Sequence, residues 1–479
     1  MQKTETNRWL VLVIVCLAQF MVVLDATVVN IALPSIQHGL NFSDANLQWV
    51  VNAYTLVFGG FLLLGGRAAD LLGRKRLFLA GVVLFTLASL LNGLAQSSSM
   101  LIAGRALQGL GGALVSPAAL SILMTSFPGT QERTKALGVW SAIVAGGAAA
   151  GLLLGGVLTD LLSWEWVFFV NVPVGVLAVA AALRFVSESR DEKAHRAFDL
   201  AGAVTVTGGL IVLVYAIVKA QVFGWGSPRT LAMLAAAGLL LVAFVAIERR
   251  SAAPLIRLDI FRTRTLTAAN VALMFVASGM FSMFFFASLY VQELLGYSPL
   301  KAGLAFLPVT SGIMIGAGVA QVAIRRFGPR QVPVVGLLLA TFGMVWLTAL
   351  PVHGSYVSDL LVGLFPMSLG MGLTFVPVTL LATVGVPAED SGLASGLLNT
   401  SQQVGGALGL AILSTLAANH TTSLLASGTA RPLALLDGWH VAFTGGAVVL
   451  ALAALSLVVL LRRRHLAHVD VDVAVPVAA

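Results

Sequence analysis

Charge is scarce in this chain. Asp, Glu, Lys and Arg make up 10% of its 479 residues while 58% are apolar, a ratio that cannot clothe a soluble globule in an ordinary polar surface. Cysteine occurs once, as Cys16, so no internal disulfide can form and cysteine usage gives no compartment. No lysine follows a glycine anywhere, which removes the phosphate-loop lysine and any sign of direct ATP use. The seven histidines lie mostly in loops and the tail without metal-ligand spacing, and no nucleophile stands beside a base. Neither a metal site, nor a cofactor, nor catalytic residues are expected, and an enzyme is not the reading.

Apolar length is what the chain has instead. Runs of about twenty apolar residues, enough for a helix to cross about 30 Å of hydrocarbon, recur from end to end. Fourteen are read, near 9–31, 47–68, 77–96, 99–124, 136–158, 164–186, 199–219, 229–248, 266–292, 301–325, 331–350, 357–383, 392–418 and 438–461. The first holds Asp25 and Asn30 and is too long for a cleavable signal, so it is expected to remain. If both termini are cytoplasmic, every Lys and Arg falls on the inner side except Lys219, Arg229, Lys301, Arg431 and the intramembrane Arg105. That is the bias of membrane topology, so the net charge of +8 reads as orientation and no nucleic-acid partner is expected.

The chain also repeats itself. Gly73 and Gly328 stand 255 residues apart, and the same offset pairs Leu40, Phe42 and Ser43 with Leu295, Tyr297 and Ser298. In both copies 30 residues separate the serine, read as a helix cap, from the glycine of a basic loop. Two parallel six-helix halves and an inserted pair account for fourteen spans. The expected divisions are an N-terminal bundle over 1–190, a linker with two further helices over 191–264, a C-terminal bundle over 265–464 and a disordered cytoplasmic tail over 465–479. Carriers built from such repeats bind substrate near the midplane and rock one half against the other.

Ionisable groups inside hydrocarbon are costly, so Asp25 and Arg105 are the first candidates for function. Asp25 lies sixteen residues past Trp9, about 24 Å along a helix, in the outer third of its span. Arg105 lies about 9 Å inside the outer end of the fourth span, at nearly the same depth. Burial favours a neutral carboxyl and a nearby guanidinium an ionised one, so separating the two would switch proton affinity. The alternative is a plain hydrogen bond between helices of one rigid half. Gln108, one turn beyond Arg105, is a candidate for the substrate cavity or for a helix contact. Met280 and Phe284, in an aromatic and methionine-rich run of the ninth span, are candidates for an adaptable cavity wall.

The loop 66–76, GRAADLLGRKR, is a tight basic turn with one acid between two apolar runs, the pattern of a cytoplasmic latch. Gly66, Asp70, Gly73 and Arg74 form the candidate gate with Glu389 and Asp390, which precede the thirteenth span. Asp70 would meet the positive end of that helix and Arg74 would reach Glu389 or Asp390. Gly147, Gly151 and Gly155 recur every four residues and mark a face of close helix packing, as do Gly405 and Gly409.

Four segments carry a family resemblance: 24–34 (LDATVVNIALP), 66–76, 105–113 (RALQGLGGA) and 146–173. The chain resembles a major facilitator superfamily member of the fourteen-helix drug:proton antiporter branch along essentially its whole length. The resemblance implies an inner-membrane exporter of hydrophobic drugs, antibiotics or lipophilic metabolites. It would be driven by the proton gradient without a cofactor, with protons, small hydrophobic solutes and the bilayer as partners and the monomer as functional unit. It also implies that Asp25 and Arg105 couple protons to substrate and that the 66–76 loop stabilises the outward-facing state. Leu152 stands where that branch has proline and Glu165 where it has arginine. A lipid or metabolite carrier of the same fold, uncoupled or symporting, is the second reading, and a non-transporting sensor or scaffold the third.

Overall fold

A backbone in hydrocarbon must satisfy its own N–H and C=O groups, and each apolar run of this chain does so by closing into a helix. The computed structural model describes residues 8–127, 129–189, 199–251, 254–383, 386 and 391–461. Among these residues there is no strand, and the long helices are α1 (Arg8–Gly39), α2 (Trp49–Leu72), α3 (Arg74–Gly93), α4 (Ser98–Ser126), α5 (Thr130–Leu161), α6 (Asn171–Phe185), α7 (Leu200–Phe223), α8 (Pro228–Arg250), α9 (Arg264–Leu289), α10 (Leu307–Phe327), α11 (Gln331–Leu347), α12 (Val362–Thr383), α13 (Ser391–Ala426) and α14 (Arg431–Leu460). Thirteen spans among the described residues are long and apolar enough to cross a membrane, and α11 is an apolar helix of 17 residues. An all-α, multi-pass membrane fold follows.

Several helices outrun their apolar runs. α1 continues to Gly39, past the expected end at 31, and α13 continues to Ala426, past 418. The extension of α1 moves Asp25 from the expected outer third to the middle, since it is now the eighteenth of 32 residues.

The repeat is written into the backbone. Six described residues have positive φ, and four of them form two pairs 255 apart: Asn41 (51°) with Gly296 (64°), and Gly73 (109°) with Gly328 (85°). Both basic loops therefore turn on a glycine in a conformation that side chains resist. One detail differs from the sequence reading. Ser298 accepts a hydrogen bond from Lys301 N at 3.4 Å, but Ser43 makes no side-chain cap and offers only its carbonyl.

Contacts divide the chain into two units. One comprises Met1–Ile211, Ala237–Leu255 and Ser298–Leu304; the other comprises Val212–Ala236, Ile256–Tyr297 and Ala305–Ala479. In the first, glycines draw helices together: a Cβ on Gly65 would strike the carbonyl oxygen of Ala113, and one on Gly109 that of Tyr54, so α2 and α4 touch backbone to backbone. Val15, Met21, Phe78, Phe85, Leu123 and Phe127 fill the core beside them. In the second, α13 lies on α9 through Gly405 and Gly409, whose missing side chains leave room for Met274 and Ser278.

Candidate functional site

The glycine contacts of the first unit hold five helices close enough to bury a polar cluster. α1 supplies Asp25, α4 supplies Arg105 and Gln108 one turn apart, and α3 supplies Ser89 and Asn92 one turn apart. α2 offers Tyr54 and the carbonyl of Val50, and α6 opens on Asn171 just after the short helix Trp166–Phe169. Asp25 and Gln108 are wholly buried and Arg105 is 1% exposed.

Arg105 places two nitrogens of its planar fork against three acceptors. One terminal nitrogen donates to Asp25 Oδ2 at 2.5 Å and to Gln108 Oε1 at 2.8 Å, and Nε donates to Val50 O at 2.9 Å. Its guanidinium carbon lies 4.4 Å from the centre of the Tyr54 ring, a cation–π arrangement. Asp25 Oδ1 accepts from Gln108 Nε2 at 2.6 Å and from Asn171 Nδ2 at 3.0 Å. Gln108 Oε1 also accepts from Asn92 at 2.7 Å, while Ser89 accepts from Gln108 and Asn171 and donates to Phe168 O at 2.8 Å. Desolvating an isolated ion pair costs several kcal/mol, and such pairs persist when further hydrogen bonds complete their shells.

The shell has a definite polarity. Among the described residues every hydrogen-bond partner of the Asp25 carboxylate is an N–H donor, and the donors come from α4 and α6 while the acid sits on α1. This arrangement suits an ionised carboxylate. A proton on either oxygen would have no acceptor waiting, so it must displace a donor.

At the other end of α2 the 66–76 loop has an acidic partner that sequence reasoning missed. Glu188, just beyond α6, accepts from the backbone N–H of Lys75 at 3.1 Å and of Arg76 at 3.2 Å, with Arg76 Nε 3.7 Å away. Lys75 Nζ donates to Leu183 O at 2.9 Å and Arg74 N to Ser189 O at 2.9 Å. The Glu188 carboxylate occupies the space a side chain at Gly73 would need, with its oxygens 2.7 and 3.0 Å from an ideal Cβ there. The loop is thus capped by α6's own trailing residues. Glu389, Asp390 and the side chain of Asp70 lie outside the described residues, and Gly66 meets Pro117 at an ordinary 3.6 Å.

The sequence profile of the Major Facilitator Superfamily matches residues 15–410. The chain belongs to that superfamily. Over 440 residues, 91% of this transporter and 87% of the relative, it is 42% identical to the puromycin resistance protein pur8 of Streptomyces alboniger. It is 40% identical to the cephamycin export protein CmcT of Amycolatopsis lactamdurans, over 93% of this chain and 91% of that one. The crystal structure of a bacterial homologue of the human lysosomal transporter Spinster matches with a TM-score of 0.67 and 17% identity, covering 95% of this chain and 97% of that one, a likeness of fold.

The remaining candidates of this transporter fall as follows. Gln108, weighed for the substrate cavity, is committed to Asp25, Arg105, Asn92 and Ser89 and presents no surface. Met280 and Phe284, one turn apart on α9, stay partly exposed, whereas Met283, Phe285 and Phe286 are buried, the last against Phe443. Gly151 and Gly155 face the backbone of α1: a Cβ on them would lie 2.9 Å from Leu24 O and 2.7 Å from Val28 O, on either side of Asp25 in sequence, and Gly147 meets Val23 at 3.3 Å. Glu165 Oε2 is buried without a hydrogen-bond partner among the described residues.

Proposed function

We propose that this transporter exports lipophilic antibiotics or related drugs from the cell in exchange for protons, with Asp25 as the proton-carrying group. The observation that carries the proposal is the carboxylate's shell, built of N–H donors from two other helices inside one bundle. A proton arriving at Asp25 neutralises the charge that Arg105, Gln108 and Asn171 address. The hydroxyl it creates points at donors, so at least one of them withdraws, and the tie between α1, α4 and α6 loosens. Release of the proton restores three charge-assisted hydrogen bonds and tightens it again. A bundle with two degrees of tightness is the two-state element that alternating access needs.

The drug class is supported by the relatives, one associated by name with puromycin resistance and one with cephamycin export. On this reading the energy source is the proton gradient, no cofactor takes part, and the monomer works in the cytoplasmic membrane with both termini inside. In sequence, two six-helix halves stand on either side of the α7–α8 pair. Met280 and Phe284 contribute to the substrate wall, and Asp70 and Arg74, with Glu389 and Asp390, form the inner gate alongside the Glu188 cap.

The test is transport in everted membrane vesicles under an imposed inside-acid pH gradient, following a fluorescent or radiolabelled substrate such as puromycin. Gradient-dependent accumulation by the wild type and its loss in Asp25→Asn are expected. Accumulation that ignores the gradient, or survives the substitution, rules out proton exchange through Asp25.

A further inference from the structure

A cavity opens within the second unit. It is a groove of about 620 Å³ between α13 and α14, and its walls are aliphatic, Leu413 at the floor and Leu416 and Val448 at the lips. The lips are exposed, Leu416 by 43% and Val448 by 53%. In hydrocarbon such a surface stands against acyl chains, since no water is available to fill it.

One end of the groove is polar. His420, Asp437 and His440 line it there. The apolar run of α13 ends near 418 and that of α14 begins near 438, so these three side chains gather close to where hydrocarbon gives way to headgroups. On the orientation argued from the basic residues, this is the outer face. Among the described residues Asp437 has no Lys or Arg beside it, and its basic neighbour is His440, whose Nδ1 lies 3.7 Å away. The other nitrogen of His440 lies 2.9 Å from the carbonyl oxygen of Leu350, which can only accept, so Nε2 donates and the ring is held in place. The Asp437 side chain is 49% exposed, so its carboxylate keeps accepting capacity toward an incoming donor.

We infer that this groove binds a phospholipid with a primary-amine headgroup, phosphatidylethanolamine, from the outer leaflet. An acyl chain lies along Leu413, Leu416 and Val448, the ammonium donates to the Asp437 carboxylate, and His420 reaches the phosphate. A choline headgroup carries the same charge and phosphate but has no N–H to donate, so the site distinguishes the two amines by hydrogen bonding.

The test is native mass spectrometry of the full chain released from detergent, with phosphatidylethanolamine and phosphatidylcholine of identical acyl chains added at equal concentration. Wild type should retain the ethanolamine lipid about fivefold better, the size of one partly exposed charge-assisted contact. Asp437→Asn should bring that ratio to about one while keeping total lipid binding, and Val448→Trp, which fills an exposed lip, should lower retention of both lipids. Equal retention of the two lipids by wild type overturns the inference whatever the variants do. So does an unchanged ratio in Asp437→Asn, or displacement of the lipid by free phosphoethanolamine at the same concentration, which would leave the groove without a role.

Discussion

Replacing Gly73 by alanine should damage this transporter in a way that depends on Glu188, and the dependence can be measured. Gly73 has φ of 109°, where a Cβ is strained by about 1–3 kcal/mol. That Cβ would also meet the Glu188 carboxylate at 2.7–3.0 Å, and the acid must move off the N–H groups of Lys75 and Arg76. Each of those bonds contributes about 1 kcal/mol, after allowing for a side chain about a third exposed. Gly73→Ala should therefore cost about 3–5 kcal/mol and Glu188→Ala about 2. In the double variant the obstructed carboxylate is gone, so strain and lost capping are counted once each. Its cost should fall short of the sum by about 2 kcal/mol, the capping otherwise counted twice, a coupling that distant, independent sites do not show. Thermal unfolding of the purified full chain gives the four stabilities of the cycle. Strict additivity would refute the packing of Glu188 under Gly73.

Other substitutions probe the ion pair and the glycine face. Arg105→Lys keeps the charge but cannot reproduce the fork to Asp25, Gln108 and Val50 O, so gradient-driven accumulation should fall at least about tenfold in a protein that still folds; unaltered transport would show that the fork is dispensable. Asn171→Leu removes one donor from Asp25, an interaction of about 1.5–3 kcal/mol with a charged group. The pH midpoint of transport should then move by about one unit or more, whereas a mere spacer would leave it in place. Gly151→Val should lower the unfolding temperature through overpacking against Thr27 and Leu24 O, at about 1–3 kcal/mol. Gly146→Ala, which meets nothing within 4 Å, should not lower it, and equal effects at both sites would deny the close approach of α5 to α1.

Hydropathy made the membrane helices legible because length and apolarity are enough to name them. It could not place their ends, since α1 and α13 continue helically through residues such as Gln37, His38, His420 and Thr421 that no longer need hydrocarbon. The meeting of Asp25 with Arg105 could be anticipated from depth alone, because charges are scarce in these spans. Asn171, Ser89 and Asn92 could not. Uncharged polar residues are common in membrane helices, and the sequence does not tell which of them face inward. Gln108 illustrates the same limit: its position allows a substrate contact or a helix contact, and in the fold its amide bonds the ion pair and Asn92. Glu188 was hidden differently: it lies in a polar stretch where acids are unremarkable, and only the turn at Gly73 shows why one belongs there.

The internal repeat bears on the role proposed for Asp25. The 255-residue offset that relates the positive-φ residues carries Asp25 to Met280, Arg105 to Leu360 and Gln108 to Gly363. None of the three counterparts can hold a proton or a charge. Leu360 is wholly buried, and Gly363 packs so closely that a Cβ would lie 2.9 Å from the carbonyl oxygen of Gly343, leaving no room for an amide. The second copy has thus kept the positive-φ turns while filling the positions of the ion pair with packing; the close-contact glycines Gly65 and Gly109 themselves map onto Ala320 and Leu364. Turns common to both copies, with Asp25, Arg105 and Gln108 in only one, imply that these three side chains are not required for the turns to form. In a membrane bundle, where burying charge is costly, the presence of the ion pair in the first half fits the proton-carrying role proposed for Asp25.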